Sequence, residues 1–352
     1  MGAVSAGAAM TMRLRTSDPH RPGWRRVRHG RGFGYRDVDG AVIRDPEVRR
    51  RLAALAIPPA WNDVWICPDP RGHLQAVGTD AAGHRQYLYH PQFREQQEAA
   101  KHAHVLAVAE CLPKVRVRVA DDLGRRGLSR TRVLAAAARL LDLGMFRAGS
   151  ASYAAENDSY GLTTLLRAQV AVRGERIRFA YPAKSGRRRE LTVIDRECAA
   201  VVRALLRRNE PEPALWASWT GGRWQQVDAD ALNAYLREAS GTDLTAKDHR
   251  TWHATVLAAV GLAVSWPQAA CSSAARRRAA ARVVREVAGY LGNTPAVCRA
   301  SYLNPKLFEC FERGVTVADA LPELAAGGPP PGPGLPGIGK DVERAIARML
   351  TE

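Results

Sequence analysis

The apolar periodicity of this chain changes near Pro91, and that change limits the folds open to it. Between Trp24 and His90 the pattern is strand-like. Gly34 to Ile43 reads as strand, Asp-Gly turn, strand. Val64–Cys67 and His73–Val77 flank a Pro-Asp-Pro-Arg-Gly turn and predict a second hairpin, and Arg85–His90 alternates as a further strand. A long helix is expected after Pro91, and from about Phe93 the period is helical. Ser129 is placed to cap a helix of Thr131 to Leu143 that Gly144 stops. Thr192 with Asp195 suggests a capping box for a helix through Arg208. Asp228 to Ala239, Thr245 to Val264 and Ser273 to Leu291 are further helices, ended by Gly241, Trp266-Pro267 and Gly292. One hairpin interrupts them, Arg176 to Ile194, with Lys184-Ser185-Gly186-Arg187 at its tip. The expected organisation is an α+β chain. It has a disordered leader (1–20), a β-rich N-terminal domain (21–92), a larger, mainly helical domain (93–326), and a Pro/Gly-rich linker with a short C-terminal helix (327–352). No internal repeat is evident.

Charge narrows the function. The chain carries 52 Lys+Arg against 35 Asp+Glu, a net charge of +17, which calls for a polyanionic partner, nucleic acid first. The bases are almost all arginine. Lysine occurs only at 101, 114, 184, 247, 306 and 340. A GC-rich coding sequence accounts for arginine over lysine but not for the excess of bases over acids. The six cysteines are scattered without a CxxC pair, as reduced structural thiols are. The N-terminal residues lack the features of a signal peptide, and no apolar run approaches a membrane span. A soluble, cytoplasmic protein is expected.

Several chemistries lack their motifs. No GxxxxGK[ST] loop is present, which speaks against ATP-driven work. Gly30-Arg31-Gly32-Phe33-Gly34 has the wrong spacing for a dinucleotide fingerprint and reads as a turn. There is no HExxH, His102 and His104 point apart on a helix, and no carboxylate cluster suits Mg²⁺. What remains is a set of basic residues at turns and helix starts, plus a tyrosine. Arg147 follows the stop at Gly144, Lys184 sits on the hairpin tip, and Arg250 lies in the first turns of a helix. Asn293 precedes Thr294 as N-cap with Pro295 at N1, and Tyr302 follows on that short helix. Taken singly, each would be an ordinary solvated charge or packing residue.

Together the segments resemble the type IB DNA topoisomerases of the compact poxvirus and bacterial branch. The resemblance runs from about Gly32 to beyond Tyr302. It is carried by GFGYRDVDG, IPPAWNDVWI, GHRQYLYHPQFRE, MFRAGSASYAAENDSYGLTTL, the AKSG tip, AKDHRTWHAT and LGNTPAVCRASYL, in that order. It implies a β-rich domain and a mainly helical catalytic domain of the tyrosine recombinase/topoisomerase IB fold, closing as a C-clamp on double-stranded DNA. The implied catalytic set is Arg147, Lys184, Arg250, Asn293 and Tyr302. Tyr302 would be the nucleophile forming a 3′-phosphotyrosyl bond, and Lys184 the general acid for the departing 5′ oxygen. The two arginines would stabilise the charge spreading over the phosphate. Viral relatives have His where this chain has Asn293, so that place polarises without titrating.

Gln86, Tyr87 and Tyr89 match DNA contacts of the small domain, where the alternative for the two tyrosines is ordinary same-face packing. Tyr153 and Lys247 match contacts near the cleaved phosphate. No role transfers to His253 or Gln169. The resemblance implies relaxation of positive and negative supercoils without cofactor, ATP or metal, by a monomer associated with the nucleoid. Two other readings share some of these features: a tyrosine site-specific recombinase, and a non-catalytic architectural DNA-binding protein.

Overall fold

A computed structural model describes residues 13–30, 32–321 and 340–352. The chain divides into two compact units, residues 1–101 and 102–352. The elements, in chain order, are β1 (Trp24–His29), β2 (Gly32–Arg36), α1 (Pro46–Ala54), β3 (Asn62–Ile66), β4 (Leu74–Thr79), β5 (Arg85–Tyr89), α2 (Pro91–Leu123), α3 (Arg130–Gly144), α4 (Ala151–Asn157), β6 (Val170–Arg173), β7 (Arg176–Pro182), β8 (Arg188–Ile194), α5 (Arg196–Leu206), β9 (Ala217–Thr220), β10 (Arg223–Gln226), α6 (Ala229–Ser240), α7 (Ala246–Ala269), α8 (Ser273–Leu291), α9 (Pro295–Tyr302), α10 (Lys306–Glu312) and α11 (Lys340–Thr351).

The first unit is an antiparallel sheet in the order β2-β1-β3-β4-β5. Alternation in β3 sends Val64 and Ile66 into a core with Leu52 of α1, Ile57 and Ala76, while Trp65 and Cys67 join Leu74 and Val77 in a second cluster. The hairpin expected at 64–77 is present as β3-β4. The one expected at 34–43 is present in short form: the Asp37 N–H donates to the Ala41 carbonyl (2.9 Å), the Ile43 N–H to the Tyr35 carbonyl (3.0 Å), and Arg36 bridges Val42 across the Asp-Gly turn. The other edge of β2 pairs along its length with β1, closed by Gly30 in the left-handed conformation (φ 56°). Of the expected leader, residues 1–12 lie outside the described residues. Residues 13–20 are instead tied down, since Arg15 bridges Gly72 and the Ser17 hydroxyl donates to the Leu74 carbonyl (2.9 Å).

The second unit is mainly helical around one continuous apolar core, with a three-stranded sheet β6-β7-β8 and a β9-β10 hairpin. The hairpin expected over 176–194 is β7-β8, turning at Lys184–Gly186. Two helix ends differ from expectation. Thr192 is still in β8, and α5 is capped by Asp195 alone, whose carboxylate accepts from the Cys198 N–H (2.9 Å). Strand pairing with Arg178 keeps Thr192 extended. Helix α7 does not stop at Trp266-Pro267 but runs to Ala269. Pro267 forgoes one backbone bond, and the burial of the helix, with Trp266 edge-on to Phe311 (5.5 Å), outweighs that loss. Pro113 lies inside α2 in the same way. Among the described residues no helix is long and apolar enough to cross a membrane.

Helix α7 is enclosed along most of its length, and His249, Arg250, Trp252 and His253 in its first two turns are all buried. Neither ring nitrogen of His249 has a hydrogen-bond partner, and burial lowers its pKa to about 4. The imidazole is therefore neutral in the fold but takes a proton in the unfolded chain below its ordinary 6.5. Between those two values the unfolded state binds the extra proton, so stability falls as pH falls. The expected cost over that window is about 3 kcal/mol. Denaturant titrations at pH 7 and pH 5 should show about 2 kcal/mol of that loss in the unaltered protein and a smaller one in His249→Leu. Equal slopes in the two proteins would contradict the assignment.

Candidate active site

The site is built where three helices end. Helix α3, capped by Ser129, finishes at Gly144, and Met145 turns left-handed (φ 48°, ψ 41°) with its N–H on the Leu141 carbonyl (3.2 Å). That conformation is strained for a side chain other than glycine. Burial of Met145 and of Phe146, which sits edge-on to Phe179 at 4.9 Å, sustains it. The turn directs the chain out of the core at Arg147. Its backbone is then held by the loop after α4: the Leu162 N–H donates to the Arg147 carbonyl (2.8 Å) and Thr163 N–H to Ala148 (2.7 Å). The approach is so close at Gly161 that a Cβ there would lie 2.5 Å from the Gly149 nitrogen and 2.8 Å from the Arg147 carbonyl oxygen.

Arg250 joins two of these ends. Thr245 and Asp248 fix the start of α7, with the Thr245 N–H and hydroxyl both donating to the Asp248 carboxylate (3.0 and 2.6 Å). One turn in, the buried Arg250 guanidinium donates to the Met145 carbonyl beyond α3 and to the Leu291 carbonyl at the end of α8. Carbonyls at helix C-termini lack intrahelical partners and carry partial negative charge, so they suit a buried cation. Gly292 (φ 62°) then reverses the chain, and Asn293 follows, its Oδ1 accepting from Arg147 Nη2. The Asn293 Nδ2 is buried without a partner. Thr294 accepts from the Val297 N–H (3.3 Å) and Pro295 opens α9, at whose end Tyr302 lies with its ring centroid 5.4 Å from the Arg250 guanidinium carbon.

A third guanidinium, Arg189 of β8, donates to the Gly144 carbonyl (2.8 Å). Its charge and that of Arg147 bear on Arg250, whose pKa is pulled down first by burial and then by these two cations. Among the described residues no carboxylate pairs with Arg147, Arg189 or Arg250. Burial pushes the Tyr302 phenol up, but Arg250 and Arg147 outweigh it, and its pKa falls below the usual 10. The arrangement is a concentrated positive site awaiting an anion, with a phenol poised toward phenolate.

The five residues expected for catalysis do not all touch. Arg147, Arg250, Asn293 and Tyr302 form one group. Lys184, exposed in the single turn between β7 and β8, has its Nζ 5.7 Å from the Tyr153 ring centroid. It shares a cleft of about 170 Å³ with Arg147, Ser150, Tyr153 and Tyr160. Tyr153 is part-exposed on α4, and Lys247 is exposed one turn before Arg250. In the first unit Gln86, Tyr87 and Tyr89 lie on β5, the outer strand of its sheet. Alternation places the two tyrosines on one face, exposed and stacked at 6.3 Å, and Gln86 on the other, donating to Asp80 (2.7 Å).

Gln169 is explained by a local bond, its Oε1 accepting from the Leu166 N–H (3.0 Å). His253 is bonded to Asp142 (2.9 Å). Sequence reasoning missed Arg189 and Asp142. One lies on a strand among neighbouring arginines, the other inside a helix, and neither has a local signature.

The fold and this site define a class first: a two-unit α+β protein whose helical unit gathers unneutralised arginines beside a tyrosine. Comparison with known proteins then places it. Residues 90–312, more than half of the chain, match the family model for the catalytic core of eukaryotic DNA topoisomerase I, and residues 32–80 match that of the bacterial DNA topoisomerase IB N-terminal domain. The chain is also similar to a DNA topoisomerase 1B of Acanthamoeba polyphaga mimivirus, 26% identical over 274 residues, covering 74% of this chain and 79% of the viral one. The chain belongs to the type IB DNA topoisomerase family, as an enzyme acting on DNA.

The close approach at Gly161 yields a direct test. Gly161→Ala should force the 147–149 segment away and destabilise the protein by about 1–3 kcal/mol. Thermal melting checks the stability, and DNA relaxation should fall further than the melting shift explains, because Arg147 moves with the segment.

Proposed function

We propose that this topoisomerase relaxes positive and negative supercoils by nicking one strand through Tyr302, letting the DNA rotate and resealing it. The Tyr302 Oη attacks the phosphorus, the bond to O5′ breaks, and a 3′-phosphotyrosyl link stores the energy for religation. Lys184 protonates the departing O5′. Arg147 and Arg250 hold the non-bridging oxygens, and the unpaired Asn293 amide N–H donates to one of them. The chemistry exchanges one phosphodiester for another, so no ATP is consumed. The charge stabilisation that a metal supplies in other phosphoryl-transfer enzymes falls here to guanidinium groups. Gln86, Tyr87 and Tyr89 would contact base edges and phosphates, with Tyr153 and Lys247 near the cleaved phosphate. The protein would act as a monomer on nucleoid DNA.

The observation that carries this reading is the position of Arg147 and Arg250 beside Tyr302, with no carboxylate among the described residues to neutralise them. A tyrosine recombinase would use the same centre but join paired sites, and a purely architectural binder would form no covalent adduct, so the family match and the adduct test separate them.

With supercoiled plasmid in EDTA, the unaltered protein should give a ladder of topoisomers and an SDS-trapped covalent adduct. Tyr302→Phe should give neither while binding DNA nearly as tightly. Relaxation by that variant would show that another residue is the nucleophile. The pH dependence has a definite sign. Cations favour the phenolate, so adduct formation should rise with pH with its midpoint below the usual phenol value of 10. In Arg147→Ala the midpoint should move upward, as one of those cations is gone, and the plateau rate should drop by about 100-fold. Single-turnover adduct formation across pH measures both.

A further inference from the structure

Beside the site, against the first turns of α7, lies a part-buried ionic network that no catalytic step uses. Its centre is Arg116 of α2. Arg116 donates to Asp142 of α3 through Nε and Nη2 (2.8 and 3.0 Å), and to Glu343 of α11 through Nη1 and Nη2 (2.6 and 2.9 Å). Asp142 also bonds His253 Nε2 (2.9 Å), and Glu343 accepts from Trp252 Nε1 (3.3 Å). Both acceptors therefore grip α7, at the two residues that follow Arg250 by two and three positions. Asp142 lies three residues before Met145, whose carbonyl holds Arg250, and five before Arg147. Glu343 is buried, and its helix is anchored in the core by Val342, Ile346, Met349 and Leu350.

Asp142, His249 and His253 could together ligate a cation. With both Asp142 oxygens already taken by a guanidinium, a second positive charge there is disfavoured, and the set fits an ionic clasp better.

We infer that Glu343, Arg116, Asp142 and His253 are positioning residues, and that α11 is a working part of the catalytic unit. The clasp fixes the end of α3 against the first turns of α7, and so sets Arg147 and Arg250 at a fixed separation. Removing one partner from a buried ion network leaves the others uncompensated, and α3 and α7 are then free to shift against each other. Displacements on the ångström scale are enough to slow a positioned reaction by about 100-fold. The inference rests on the proposed role of Arg250.

The test uses the full chain, single-turnover adduct formation on duplex DNA, binding by fluorescence anisotropy, and melting curves. Glu343→Gln, which keeps the shape and the Trp252 acceptor, should slow adduct formation by about tenfold or more with DNA affinity unchanged. Glu343→Asp should restore part of the rate. Because the effect is transmitted through Arg250, Glu343→Gln should change the rate by less than about twofold in an Arg250→Ala background. A rate in Glu343→Gln equal to that of the unaltered protein would overturn the inference. So would the same slowing in both backgrounds, which marks a general structural effect. If the unaltered protein forms no adduct at all, the functional reading itself falls, and this inference with it.

Discussion

Arg250 buried between two carbonyls is the contact on which the site depends. A guanidinium removed from water must find acceptors, and here they are the ends of α3 and α8 rather than a carboxylate. The choice has consequences. An acid in the same place would neutralise the cation and leave little for a phosphate to bind. Carbonyl oxygens satisfy the N–H groups while leaving the net charge intact, so Arg147, Arg189 and Arg250 stay unneutralised together. Their mutual repulsion is the cost. It is what an incoming phosphate would relieve, and it is why the phenol beside them leans toward phenolate.

The same contact makes the geometry non-local. Arg147 and Asn293 are the residues next beyond the two helix ends that Arg250 holds, and they are bonded to each other. One side chain thus fixes two others, 103 and 43 residues away in sequence, by anchoring the backbone from which they spring. The left-handed Met145 and the glycine turn at Gly292 are the hinges that make this possible, one sustained by burial and one free of a side chain.

Much of this was legible in the sequence because helix ends are written locally. Ser129, Asp228, Thr245 and Thr294 start their helices where their short polar side chains imply, and Gly144, Gly241 and Gly292 lie at or just beyond the ends. Those ends are the points from which Arg147, Asn293 and Tyr302 depart, and the order of motifs gave the family. The misreadings share a cause: a local signal lost to a tertiary one. Thr192 looks like a cap but is held in strand pairing, and Trp266-Pro267 looks like a stop but is overridden by burial.

What no local pattern could reveal is partnership across the chain. Asp142 and Glu343 sit in helices as ordinary surface acids would, and nothing near them in sequence marks them as buried. Only the fold brings both to Arg116, 26 and 227 residues away. Part-buried or buried carboxylates on an otherwise basic protein are informative for that reason. With 35 acids against 52 bases, at least 17 bases can have no acid of their own. Among the described residues, two acids nevertheless meet a single arginine beside the site, and none meets the three arginines within it. That division keeps negative charge where it can brace α7 and away from where a phosphate would sit. The net charge of +17 is therefore less telling than its arrangement, in which the arginines at the site meet no carboxylate among the described residues and Arg116 meets two.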